Sequence, residues 1–178
     1  RMTVQITVKK AVPYISVQPT VNAYTHGDYL YNQKLSVPEG AVTIGNGKGE
    51  AGAGSPDTQI PVPGTFTWKT PQAQLSHTES SGKEYEYVFT PDDTASYETV
   101  TGKIRITVNK AAYPPLMPGN TLKAAYTCTK ISDVELPQGW EWKEADRETE
   151  LEVGKTVTAE AIYQAADARN YEYTSVSI

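Results

Sequence analysis

The chain has 178 residues, of which 38% are apolar and 10% aromatic, with a formal net charge of −5. That length holds one large or two small domains. Twelve Tyr against two Phe suit thin β layers wetted on one side better than one deep core. The acidic balance argues against a nucleic-acid partner, which needs clustered Lys and Arg. The single Cys128 excludes an intrachain disulfide.

No apolar run approaches the length of a membrane span, and no signal peptide is visible. The chain starts at Arg1, inside a strand pattern, and reads as a piece of a longer protein. Val4, Ile6 and Val8 alternate with Thr3, Gln5 and Thr7, the period of a half-buried strand. Thr3–Ala11 (TVQITVKKA) echoes Lys103–Ala111 (KIRITVNKA) one hundred positions on. Residues 1–10 are therefore expected to be the last strand of a preceding repeat, and Thr3–Lys9 to add to a sheet edge in this chain or a neighbour.

Pro13 and Pro19 around Tyr14–Val17 point to an edge strand or extended linker, because proline lacks the amide donor. Thr25-His26-Gly27-Asp28 is a turn signal. Leu30 and Leu35 flank a stretch too short and polar for a helix. Gly45–Ser55 (GNGKGEAGAGS) reads as a loop with little area to bury against its ordering entropy. Gly64–Lys69 alternates again, with Phe66 and Trp68 on one face, and returns as Gly139–Lys143 with Trp140 and Trp142.

The same offset of 74 links Phe89–Glu98 to Tyr163–Glu172, and Tyr85, Tyr87 and Phe89 to Ala159, Ala161 and Tyr163. Strand parity is kept while side-chain size changes. Alternation makes the first part of 156–168 a strand in spite of its alanine content. The expected organisation is a tail strand at 1–10, a first unit at 11–110 and a shorter second unit at 111–178. Short proline-bearing joints separate them and favour extended, semi-rigid geometry.

Motifs that could carry chemistry are few. Gly47–Gly52 matches GxGxxG, but Ala53-Gly54-Ser55-Pro56 cannot open the helix that a dinucleotide site needs. Gly154-Lys155-Thr156 resembles the end of a phosphate loop without its first glycine. His26 and His77 lack metal-ligand spacing. Asp92-Asp93 offers too few oxygens for calcium unless backbone and water supply the rest. It fits better as a turn acceptor, and Asp93–Tyr97 looks like the tyrosine corner of immunoglobulin domains.

Trp68, Trp140 and Trp142 suit a core better than a sugar platform, since burying one indole removes roughly 150–250 Å² from water. Tyr24, Tyr29 and Tyr31 sit in loop context and are the candidate ligand-binding patch. Leu136-Pro137-Gln138-Gly139 is no sorting signal, because the Thr is missing and a strand follows. Lys10, Lys69 and Lys110 are conceivable donors for Lys–Asn crosslinks.

Val62–Trp68 (VPGTFTW), Phe89–Tyr97 (FTPDDTASY), Ile106–Ala111 (ITVNKA) and Leu136–Trp142 (LPQGWEW) resemble the Ig-like repeats of large surface proteins from Firmicutes. The resemblance implies an all-β fold of tandem Ig-like β-sandwich modules, with β-grasp-like repeats as the alternative. It also implies display on the bacterial cell surface, outside the cell, in a non-catalytic structural or adhesion segment without cofactors. The partners so implied are adjacent repeats of the same polypeptide and a host glycan or protein, with no nucleic acid and no membrane insertion. The other functions consistent with the residues are a carbohydrate-binding module and an accessory region of a larger extracellular enzyme.

Overall fold

In a computed structural model of the chain, residues 4–44 and 60–178 are described. The glycine-rich stretch at 45–55 and its GxGxxG match lie outside them, as does Thr3. Strand makes up 31% and helix 8%, so the fold is all-β, built from several small sheets. The chain divides into two compact units. One is drawn from residues up to Val108, and the other from Asn109–Ile178 with the short segments Thr25–Gly27 and Ser76–Thr78.

The first unit is built on a three-stranded antiparallel meander, whose strands follow its alternation. Its strands β5 (Gly64–Trp68), β6 (Glu84–Pro91) and β7 (Val100–Arg105) lie in the order β5-β6-β7. Trp68 faces Tyr87, Phe66 faces Phe89, and Tyr87 faces Gly102. A second sheet has the order β1-β3-β4, from Tyr14–Ile15, Val42–Ile44 and Ile60–Pro61. The proline-flanked β1 is an edge strand, as proline chemistry requires. Two short strands, β2 (Tyr24–Thr25) and β8 (Val108–Asn109), pair separately.

Tyr24, Leu30, Trp68, Leu75, Tyr87, Ile106 and Val108 form one buried cluster, and Val42, Val62 and Phe89 another. Gly102 is where the core demands glycine: a Cβ there would sit 2.2 Å from the Tyr87 hydroxyl and 2.3 Å from Cζ.

The second unit has one antiparallel sheet, with β9 (Trp140–Trp142), β10 (Glu160–Tyr163) and β11 (Ser175–Ser177) in the order β11-β10-β9. Its core gathers Ile131, Trp140, Trp142, Ala159, Ala161, Tyr163 and Tyr171. All three indoles are thus interior, at 8% exposure or less. Within 156–168 the strand begins at Glu160, and the only helical residue is Ala168, opening a 3-10 turn to Asn170. Gly139 takes φ of 87° beneath the Tyr163 ring, a turn that an L side chain would strain.

Two expectations need correction. Val4–Lys10 forms no strand, and Val4, Ile6 and Val8 are 76%, 85% and 90% exposed, so the segment adds to no sheet edge among the described residues. Alternation marks it as strand-capable, but a strand needs a neighbour to bond. Leu30–Asn32 forms a 3-10 turn where no helix was expected. Buried Leu30 anchors the turn, and Asn32 Oδ1 accepts the Tyr29 amide at 2.6 Å.

Candidate functional site

The three tyrosines proposed as a patch separate. Tyr24 is fully buried, and its hydroxyl donates to the Leu30 carbonyl at 2.9 Å. Burial pushes its phenol up to about 12; the bond with Trp68 opposes this and Asp28 reinforces it. It belongs to the core and leaves the patch, because its strand β2 turns the ring inward. Tyr29 and Tyr31 stay together, stacked at 5.3 Å between centroids with 11° between planes. Tyr31 is 51% exposed. Their turn is held by Leu30 N to Ala73 O, Tyr31 N to Pro71 O and Leu75 N to Asp28 O, at 2.7–3.1 Å. This gives a fixed aromatic ledge on the first unit.

Sequence reasoning missed a shallow pocket of about 240 Å³ in the second unit. It is lined by Ser132, Val134, Leu136, Trp140, Glu141, Trp142 and Arg147. Trp142 Nε1 donates to Val134 O at 2.7 Å. Arg147 donates to Trp142 O through Nε and to Glu141 through Nη2, both at 3.0 Å, and its Nη1 pairs with Glu144 at 3.3 Å. The guanidinium is thus committed to its own wall. The indole N–H of Trp140 is buried with no hydrogen-bond partner among the described residues. The available signal was the 74-residue offset, at which Trp140, Glu141 and Arg147 replace Phe66, Thr67 and Ala73.

The remaining motifs resolve into structure. Asp93 Oδ1 accepts the amides of Ala95 and Ser96 at 3.0 and 3.1 Å. Ser96, through its hydroxyl and then its amide, holds that carboxyl below its usual range, with help from Ala95 and Lys10. In the second unit, Asp167 accepts both the Tyr163 hydroxyl (2.8 Å) and the Tyr171 hydroxyl (3.2 Å). Tyr171 Oη thus bonds the side chain of the Asp four residues before it, and the corner expected at Asp93–Tyr97 shows instead the backbone bond from Tyr97 N to Asp93 O at 3.1 Å. Burial and then the Asp167 carboxylate push Tyr163 up to about 12 and raise Tyr171 too.

Lys155 pairs with Glu152 at 2.6 Å in a turn at Gly154. Lys10 donates to the Thr94 carbonyl at 2.6 Å, and Lys69 pairs with Glu86 at 2.5 Å; neither contact is a carboxamide. No group of three His, Cys, Asp or Glu side chains that could hold a metal ion occurs among the described residues, nor is any of their helices long and apolar enough to cross a membrane. The chain matches no family model, no curated protein and no solved structure.

Proposed function

We propose that the chain is a non-catalytic structural and adhesion segment of a bacterial cell-surface protein, built from two Ig-like modules. The supporting observation is the recurrence of one bonding plan. In the first unit Trp68 Nε1 donates to Gln33 O, the residue closing the 3-10 turn; in the second Trp142 Nε1 donates to Val134 O, which closes the 3-10 turn Ile131–Asp133. Lys69 pairs with Glu86 and Lys143 with Glu160, both at 2.5 Å. Trp68 faces Tyr87 as Trp142 faces Ala161.

Ala11 bridges Tyr97 in parallel, and Ala111 bridges Tyr171 likewise. Each proline-bearing joint is therefore bonded to the corner of the unit it enters. That gives every unit its own entry clamp and its own core, the properties a stalk needs to bear tension unit by unit.

Force spectroscopy on the chain held at its ends tests this reading. Two unfolding events are expected, of about 100 and about 70 residues, lengthening the chain by roughly 340 and 230 Å at 3.3–3.6 Å per residue. A single event spanning the chain refutes the modular reading. Surface display is tested by protease shaving of intact producing cells; protection of the chain until lysis refutes it.

A carbohydrate-binding role is the second reading, favoured by the stacked Tyr29–Tyr31 ledge with Tyr31 half exposed. Stacking on sugar faces is a common use of such rings. Glycan-array binding that survives Tyr31→Ala refutes it.

A further inference from the structure

The pocket at Trp140 is built on a side-chain pair that the shared bonding plan does not need. In the first unit Trp68 Nε1 reaches its turn carbonyl with Thr67 and Ala73 at the positions that correspond, by the 74-residue offset, to Glu141 and Arg147. The plan closes there without this ion pair. The side chains of Arg147 and Glu141 are 38% and 55% exposed, and exposed pairs of this kind add little stability. Both line the pocket of the second unit.

The pair is held still. Ser132 N donates to Arg147 O at 3.1 Å and Ile131 N to Thr149 O at 3.0 Å, which ties the 3-10 turn Ile131–Asp133 to the segment carrying the guanidinium. Nε and both Nη atoms of Arg147 then meet Trp142 O, Glu141 and Glu144. Those contacts use three of the five N–H groups a guanidinium carries, so donors remain. Glu141 spends Oε2 on Arg147, and its Oε1 has no partner among the described residues. Ser132 adds an exposed hydroxyl. Spare donors and a spare acceptor thus sit on two groups joined at 3.0 Å.

The rest of the lining is apolar. Val134 and Leu136 are half-buried, and Trp140 and Trp142 complete it. A fixed donor and acceptor beside an apolar wall suit a ring with apolar faces and hydroxyls around its edge, since each hydroxyl both donates and accepts. Charge narrows the choice. An anion would meet Glu141 and Glu144, and a cation would meet Arg147. The volume of about 240 Å³ holds one sugar ring, with the rest of a glycan outside the mouth.

We propose that this pocket binds a single neutral pyranose unit of a glycan, with Arg147 donating to one ring hydroxyl and Glu141 Oε1 accepting from its neighbour. The ligand class is that of the second functional reading, but the site uses none of the residues of the Tyr29–Tyr31 ledge. Either can fail while the other stands.

Titration of the isotope-labelled chain with the methyl glycosides of glucose, galactose, mannose and N-acetylglucosamine tests it, read by NMR at the indole N–H signals. At least one glycoside is expected to shift the Trp140 and Trp142 signals saturably, with a millimolar Kd, while the Trp68 signal in the first unit stays fixed. Arg147→Ala and Glu141→Ala each weaken that binding about tenfold or more. Unmoved amides in β9, β10 and β11 show that the fold persists, and Glu141→Ala decides alone where Arg147→Ala disturbs them. The methyl glycoside of the matching uronic acid, the same ring with a carboxylate, binds about tenfold more weakly than its neutral counterpart. Tyr31→Ala leaves the indole shifts unchanged. The proposal is overturned if none of the four glycosides shifts the two indoles, or if binding survives both substitutions. Uronic-acid binding as tight as the neutral sugar's, or indole shifts that depend on Tyr31, overturns it equally.

Discussion

Substituting Tyr87 and Gly102 together tests whether the two units solve one packing problem in two ways. Tyr87 is fully buried, faces Gly102 across β6 and β7, and donates its hydroxyl to Gln18 Oε1 at 2.5 Å. At the matching positions of the second unit, fully buried Ala161 faces Val176. A large residue against none has become a small one against a medium one. Gly102→Val alone places atoms inside the ring position, since even a Cβ would lie 2.2 Å from the hydroxyl. Overpacking of that kind costs about 1–3 kcal/mol. Tyr87→Ala alone empties the site at a cost of about 3–5 kcal/mol. Independent effects would sum to roughly 4–8 kcal/mol, enough to unfold a marginal unit. The double substitution reproduces the Ala161–Val176 pair, so the expected coupling is favourable by about 1–3 kcal/mol. Native-state hydrogen exchange of the β5, β6 and β7 amides reads the stability of this unit alone. Additive effects of the two substitutions would refute the reasoning.

Three further outcomes follow from the geometry. Tyr24 and Tyr163 are raised from 10.0 to about 12, so their neutral form is the one favoured by folding. Their contribution is complete below pH 10 and is lost as the pH rises toward 12; phenolate absorbance and unfolding should appear together in that window, and two phenols titrating near 10 in the folded protein would contradict it. Trp142→Phe orphans the Val134 carbonyl and should cost about 1–3 kcal/mol beyond Trp140→Phe, whose indole N–H is already unpartnered, as measured by urea unfolding. Asp133 accepts the amides of Thr129 and Lys130 at 2.8 and 2.9 Å, and those backbone bonds, Lys130 first, hold its carboxyl low. Its stabilising effect is present above the ordinary carboxylate range and fades as the pH falls through its lowered value. Asp133→Asn should abolish that acid step in amide protection at Thr129 and Lys130, and an unchanged step would refute it.

The strands were legible where side chains alternate and both faces have neighbours. Gly64–Trp68, Glu84–Pro91 and Trp140–Trp142 announce themselves by period two, and their indoles by the area they must bury. Val4–Lys10 has the same period and no strand partner among the described residues, since periodicity reports what a strand would bury and not whether a second strand is present to bond it. Tyr24 was misplaced for the opposite reason. Its turn-rich surroundings suggested exposure, while the carbonyl that satisfies its hydroxyl belongs to a 3-10 turn that composition does not encode. The pocket at Trp140 and Arg147 was hidden because Ser132, Glu141 and Arg147 meet only after the strand and turn have folded.

The turns Asp93–Tyr97 and Asp167–Tyr171 share one spacing and differ in chemistry. Asp93 spends its carboxylate on two turn amides and stays exposed, so the Tyr97 main chain is held by the bridge to Ala11 while its ring packs against the Val42, Val62 and Phe89 cluster. Asp167 instead sits under two phenols, and its turn closes as a 3-10 helix whose bonds are all backbone. The same Asp-to-Tyr spacing therefore fixes the joint through the main chain in one unit and adds a side-chain brace in the other. Asp167→Ala leaves two buried hydroxyls unsatisfied and removes the carboxylate that raises them. It should lower both phenol values and destabilise the second unit, while Tyr163→Phe in the same background restores part of the loss by deleting one orphaned group. If Tyr163→Phe and Asp167→Ala are additive, the carboxylate is not the shared partner of the two rings.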